Sequence, residues 1–420
     1  MSFEDDCASD YDYDDGCIKT WSGHDVIVSC ATMYKDKEKH YFVLGSYETI
    51  IQIWDVDTGT CLRRLEGHTR VICCLAIHTY ENGHYIVSGS HDKTIKIWDA
   101  GTGACLRTLR GHTSSVKSLT TYPLTKGYHI VSGSYDGTIK IWNGVYRFCL
   151  RTLEGHTGSV DSLATYQKAD GGVCIVSGSH NKKGKIYIWD AGTYDTYVCL
   201  HILQGHNEGV SSITTYQDTE GQVRIVSGSW DETIKIWDAE TGACLRTFKG
   251  HTHWVTSVAM SSDGRYILSG SYDQTIKVWD PTTGDNLRTF TGHTSLVVSL
   301  SVYRSEEGKE RIVSASHRTM KLWEADLNPI PHRVLSLPPI HLATDAILDK
   351  TDDGTYVSPI SLEELDPSRT VKLSDGHCYS YDDILAYYQE KKQQRRPFVS
   401  PLTRGRFIKE DIRLVKTLLK

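Results

Sequence analysis

The chain has 420 residues, 39% hydrophobic and 23% charged, with a formal net charge of −6, a length and balance expected of two or three soluble domains with real cores. That charge excludes a general attraction to nucleic acid or anionic membrane. No apolar run approaches the roughly 20 residues that span a bilayer, and the acidic start is unlike a signal peptide. The twelve cysteines form no Cys-x-x-Cys pair and no zinc-like alternation with histidine, so no metal site and no cofactor is expected. Most lie in apolar strand patterns and are expected to be small buried hydrophobes in a reducing, intracellular compartment, cytoplasmic or nuclear.

In chain order, residues 1–16 carry seven acidic side chains and no basic one, a composition expected to stay disordered. From residue 17 to about 325 the sequence repeats. Ile-Trp-Asp or a near variant recurs at Trp54, Trp98, Trp142, Trp189, Trp237, Trp279 and Trp323, each preceded by a Gly-His pair at His24, His68, His112, His156, His206, His251 and His293. Seven units of roughly 42–50 residues result, near the size of a four-stranded propeller blade. Within each, short apolar runs such as Tyr85-Ile86-Val87 and Ile95-Lys96-Ile97-Trp98 are strand-like. Asp136-Gly137 and the run Asp99–Gly103 supply turns. One such sheet buries too little alone, so the units must stack in a ring.

These phrases resemble the WD-repeat family closely, and the resemblance implies an all-β, seven-bladed propeller over residues 17–325. It also implies ring closure by an N-terminal strand, here Cys17–Trp21; His332–Ser336 competes for that place. In each unit a His, a Ser, an Asp and the Trp recur, which are also the ingredients of a nucleophilic triad. A catalytic group repeated around a ring would be redundant, and the resemblance makes the four a structural hydrogen-bonded tetrad. The complete sets are His68, Ser88, Asp92 and Trp98; His112, Ser132, Asp136 and Trp142; His206, Ser227, Asp231 and Trp237; and His251, Ser269, Asp273 and Trp279. Blade 4 has Asn181 in place of the Asp, with two extra residues before Trp189. Blade 1 has Glu48, and Leu44 in place of the Ser; blade 7 has Arg318 near the missing Asp. These three blades are expected to be the less rigid.

In this family the residue before the turn Asp lies on the wide face near the central channel. Here those residues are Tyr47, His91, Tyr135, His180, Trp230, Tyr272 and His317, with Arg70, Trp254 and Leu296 nearby at the inner-strand starts. An aromatic set of this kind suits a peptide or protein partner. Arginine is too sparse there for a phosphate-reading cluster.

Past the repeats, residues 326–356 carry Pro329, Pro331, Pro338 and Pro339 and read as a linker. Residues 357–420 change period. Val371–Tyr379 is hairpin-like, and helical spacing is expected over Asp382–Gln394 and Lys409–Leu419. The phrases Ser-Pro-Ile-Ser-Leu, Asp-Gly-His-Cys-Tyr and Ser-Pro-Leu-Thr-Arg occur in that order. They resemble a U-box, the zinc-free relative of the RING domain, and His377 with Cys378 alone could not build a zinc site. The resemblance implies a ubiquitin ligase that docks a ubiquitin-conjugating enzyme through Ile360, Tyr387, Pro401 and Arg404, with His377 and Tyr379 in its core. Such a module works by proximity and orientation, with no covalent catalytic residue on this chain. The other class of reading is a non-enzymatic scaffold whose tail is a second docking surface. Ten Lys or Arg against two acidic residues over 391–420 read as solvated helix face.

Overall fold

The computed structural model describes residues 16–325, except 23–25, 38, 81–82, 125–126, 147, 192–197 and 306, together with 349–350, 356–357, 370–372 and 378–380. Two compact units divide the chain, Met1–Asp326 and Leu327–Lys420.

The first unit is all-β: seven antiparallel four-stranded sheets and, among the described residues, no helix. Blade 2 is typical, running from inner to outer strand as Ile72–Tyr80, Gly83–Ser90, Ile95–Asp99 and Cys105–Leu109. The third strand shows why the sequence folds this way. In Ile-Lys-Ile-Trp-Asp the isoleucines and Trp98 are buried while Lys96 is half-exposed, the period-two pattern of a strand whose apolar side chains must be covered. Every third–outer pairing carries a register shift at the Trp, as at Trp98 opposite Cys105 and, in blade 7, at Trp323 opposite Cys17. That seventh sheet contains Val297–Arg304, Glu310–Ser316 and Thr319–Ala325, and Cys17–Ser22 closes it as outer strand, with Trp21 opposite Met320. The competing segment 332–336 lies outside the described residues.

The cores lie between blades. Trp98 packs on Val43, Ile51, Ile53 and Leu65 of blade 1, and Trp279 on Val226, Ile234, Ile236 and Phe248 of blade 5. Truncating one such tryptophan costs about 3–5 kcal/mol. The glycine of Ser-Gly-Ser permits this close stacking: a Cβ on Gly89 would stand 2.6 Å from Val116 Cγ1 of the next inner strand. The glycine of Gly-His serves the tetrad, since Gly67 at φ +149° lies under the Trp98 ring.

The cysteines depart from expectation. Cys74 and Cys174 are buried, but Cys61, Cys105, Cys149 and Cys244 are exposed. All four open an outer strand, which among the described residues has no further strand beyond it. Local apolar pattern cannot distinguish an outer strand from an inner one.

In the second unit the described residues form two short pairings. Thr370–Lys372 pairs with Cys378–Ser380, as the hairpin-like run suggested. Asp349–Lys350, within the expected linker, pairs with Tyr356–Val357. Both expected helices, and Ile360, His377, Tyr387, Pro401 and Arg404, lie outside the described residues.

Candidate binding face and the tetrads beneath it

Each tetrad joins the Gly-His loop to the second and third strands. In blade 2, Trp98 Nε1 donates to Ser88 Oγ at 2.8 Å, Ser88 Oγ lies 2.7 Å from His68 Nε2, and His68 Nδ1 lies 2.8 Å from Asp92 Oδ2. The His–Asp distances in blades 3, 5 and 6 are 3.1, 2.9 and 2.7 Å. Asp92 also accepts from the Thr69 and Thr94 N–H groups, fixing the loop and the turn together. The Ser–His–Asp geometry resembles a triad, yet His68 and Ser88 are buried with the serine hydroxyl held by the indole. No substrate atom can reach that oxygen.

Burial alone would raise the carboxyls of Asp92, Asp136, Asp231 and Asp273. Hydrogen bonds from the histidine, threonine and loop N–H groups outweigh it and hold all four well below the ordinary carboxylate range. Stability from these groups is therefore present above about pH 4 and is lost as pH falls through their depressed values.

The incomplete blades solve the problem differently. In blade 7, Ser314 still links His293 and Trp323, and His293 Nδ1 faces Thr319 Oγ1 at 3.3 Å. That contact has its equivalent in the complete blades, as at Thr94 and His68, so blade 7 loses only the carboxylate. In blade 4, Ser177 links His156 and Trp189, but Lys185 replaces the threonine and His156 Nδ1 is buried with no partner. Asn181 accepts from Lys183 N–H and donates to Thr157 Oγ1. Its amide nitrogen is a donor where the other blades have an acceptor. Burial, with Lys185 nearby, pushes the His156 imidazole down to about 4; burial with Lys321 does the same to His293. In blade 1, Leu44 is buried at the serine position and Trp54 Nε1 donates to Gln52 Oε1 at 3.1 Å.

The turns between second and third strands carry the seven aromatic or imidazole positions. His91 lies 3.4 Å from Lys117, and His180 lies 3.4 Å from Asp161. Lys117 and Asp161 line a central channel of about 300 Å³, which places this face at the channel mouth. Five rings form one continuous arc across blades 4–6. His180 meets Trp230 edge-on at 4.1 Å, Trp230 stacks on Trp254 at 4.3 Å and 8°, and Trp254 meets Tyr272 at 5.2 Å. His253 stacks on Tyr272 at 5.0 Å. On the other side Tyr47 and His317 make a looser edge contact at 6.3 Å. Tyr135 is 65% exposed, Arg70 is exposed and Leu296 half-buried; none of these three joins the arc.

Sequence reasoning missed His253, Asp161 and Lys117. Asp161 and Lys117 stand at inward positions of inner strands, where the signal is two charges in an otherwise uncharged series (Ser29, Cys73, Ser211, Thr256, Val298). They set the mouth's electrostatics in opposite directions. The hydrogen bond and charge of Asp161 raise the His180 imidazole, whereas burial with Lys117 and Arg70 lowers His91. Gly209 makes room for His180: a Cβ there would stand 3.1 Å from its Nδ1. Among the described residues, no group of His, Cys, Asp and Glu has the geometry to hold a metal ion.

Seven blades, four of them pinned by complete buried tetrads, with rigid aromatics gathered at the channel mouth, make a propeller suited to protein–protein interaction. The family model described as "WD domain, G-beta repeat" matches residues 59–99, 103–143, 147–190, 197–238, 242–280 and 284–324. Those segments cover more than half of the chain, and the chain belongs to that family. The stretch of blade 1 that lacks the serine and the aspartate lies outside them.

Among curated proteins, a 37-residue stretch is 60% identical to the nuclear distribution protein PAC1 of Arthroderma benhamiae. Stretches of 37 residues are 54% identical to that of Arthroderma otae and 46% identical to the Lissencephaly-1 homolog of Heterostelium pallidum. Each match covers 9% of this chain and 8 or 9% of the relative, so the chain spans less than a tenth of the length of the curated relatives it matches.

Proposed function

We propose that the channel mouth over blades 4–6 captures a polypeptide partner, with Trp230 and Trp254 as anchors and His180, His253 and Tyr272 as flanking contacts. The observation that carries this reading is the ring arc itself. Stacked indoles give large contact area at little rotamer entropy, because each ring is already held by its neighbour. Arg70, Tyr47, His91, Tyr135, His317 and Leu296 form the outer part of the same surface and tune selectivity rather than anchor. The test is affinity capture from an intracellular extract, the wild-type chain against Trp230→Ala and Trp254→Ala. Partners lost from both variants while folding is retained support the reading. An unchanged partner set overturns it.

We further propose that residues 357–420 act as a U-box-like module docking a ubiquitin-conjugating enzyme through Ile360, Tyr387, Pro401 and Arg404. What supports this is the ordered occurrence of the three loop phrases, Ser358–Leu362, Asp375–Tyr379 and Ser400–Arg404. Together the two parts would bring a substrate lysine on the propeller to a charged conjugating enzyme, which is catalysis by proximity. An in vitro ubiquitination assay with a panel of conjugating enzymes decides between this and a non-enzymatic scaffold. Chain formation abolished by Ile360→Ala or Pro401→Ala is the ligase result; no chains and no conjugating-enzyme binding is the scaffold result.

A further inference from the structure

Blade 4 departs from its neighbours at the rim as well as at the mouth. Five blades bridge third and outer strands with a Lys–Thr hydrogen bond: Lys96–Thr108, Lys140–Thr152, Lys235–Thr247, Lys277–Thr289 and Lys321–Thr20. In blade 4 those positions are Tyr187 and Ile202, paired across the strands. Tyr187 is buried against His156 and Trp189, its hydroxyl donating to Gly155 O. The outer strand Val198–Leu203 reads Val-Cys-Leu-His-Ile-Leu. Where the other sequential blades hold Arg63, Arg107, Arg151, Arg246 or Arg288, it holds His201.

The result is an outer strand without a fixed charge. Val198, Leu200 and Ile202 are 52, 42 and 47% exposed, and the strand pairs only with the third strand of its own sheet. Among the described residues, no further strand faces its outward N–H and C=O groups. Natural sheets blunt such edges with charge, and arginine meets that need in the sister blades. Here it is absent. The rim of blade 3 is apolar in the same sector: Tyr146 and Phe148 are exposed where blade 2 has Thr102 and Ala104. Leu150 and Cys199 flank one shared core between these two blades, so the two exposed stretches adjoin.

We propose that this edge is a self-association surface, with Val198–Leu203 pairing antiparallel to the same strand of a second copy. The strand's own pattern selects that occupant. A two-fold axis through Leu200 sets leucine against leucine and Val198 against Ile202, and no like charges meet. About the equivalent residue of blade 2, Leu106, the same operation sets Ala104 against Thr108 and brings the fixed charge of Arg107 into the seam opposite Cys105. Among the sequential blades, the blade 4 edge alone brings no fixed charge into such a seam. The pairing turns two four-stranded blades into one continuous sheet and covers the apolar rim of both.

The test compares the full-length chain with the double variant His201→Arg, Ile202→Thr, which writes the Arg107–Thr108 pair of blade 2 into blade 4. Because five sister blades fold with an arginine at the first of these positions, the variant is expected to keep the wild-type melting profile. Light scattering and sedimentation are expected to show a wild-type dimer, with self-association weakened at least about tenfold in the variant. Hydrogen exchange at the Val198–Leu203 amides is expected to slow as wild-type concentration rises. A wild-type chain that stays monomeric up to its solubility limit overturns the proposal. So does a dimer that survives the double variant, or one that leaves these amides unprotected.

Discussion

Blades 4 and 6 are written in nearly the same phrases, yet one is complete and the other is not. In blade 6, His251 is held between Ser269 and Asp273 at 2.7 Å on each side. In blade 4 the equivalent histidine keeps its serine but loses its carboxylate, and one ring nitrogen is buried without a partner. An Asp-to-Asn exchange, a two-residue longer turn and Lys185 in place of the threonine account for the difference. Both blades remain in the ring, which teaches that interblade packing, not the tetrad, closes the propeller. The tetrad adds local rigidity, and giving it up frees blade 4 to differ at the mouth and at the rim.

Removing the carboxylate where it is used should be the largest effect. Asp273→Ala leaves His251 Nδ1 only the longer Thr275 Oγ1 contact and two loop N–H groups unsatisfied, and is expected to cost about 2–3 kcal/mol in denaturant unfolding. Asn181→Ala, at the same place in blade 4, is expected to cost under about 0.5 kcal/mol. Equal losses would break the comparison. The reverse change sharpens it: Asn181→Asp offers His156 Nδ1 an acceptor and is expected to add about 1 kcal/mol, raising the histidine's titration by NMR.

The histidines predict a pH response distinct from that of the carboxylates. His156 and His293 titrate near 4 in the fold and near 6.5 unfolded. Below about pH 6.5 the unfolded chain binds more protons, so their contribution is present above that value and fades as pH falls towards 4. The tetrad carboxylates contribute a second loss below about pH 4. His156→Gln should shrink the first phase to the share of His293 and leave the second unchanged. The smallest effect lies in the turns, where Lys93, Glu232 and Gln274 adopt φ of 69, 67 and 70° while blade 3 has Gly137 at 80°. Glycine there is expected to be neutral to about 1 kcal/mol stabilising by thermal melt.

Much of this was legible in the sequence, for a physical reason. Each tetrad draws its members from one repeat, so spacing alone identified Ser88, Asp92 and Trp98, and the blade count followed from seven Gly-His and Trp pairs. Contacts between repeats were not legible. Trp230 and Trp254 belong to different blades, and nothing local says that these two of the mouth residues stack while Tyr135 stands apart. The exposure of Cys105 was hidden similarly, because an outer strand has the same alternation as an inner one. Thr319 as the surviving partner of His293 needed three-dimensional superposition of blades, since the blade 7 turn is one residue short.

The central claim is that the aromatic arc over blades 4–6 is the surface that holds a partner. Hydrogen exchange on the propeller alone and in complex with a captured partner tests it most directly. The account predicts slowed exchange at the amides of His180, Trp230, Trp254 and Tyr272, with the Tyr47–His317 side less affected. Protection confined to the Tyr47–His317 side, or to the outer strands, would contradict it.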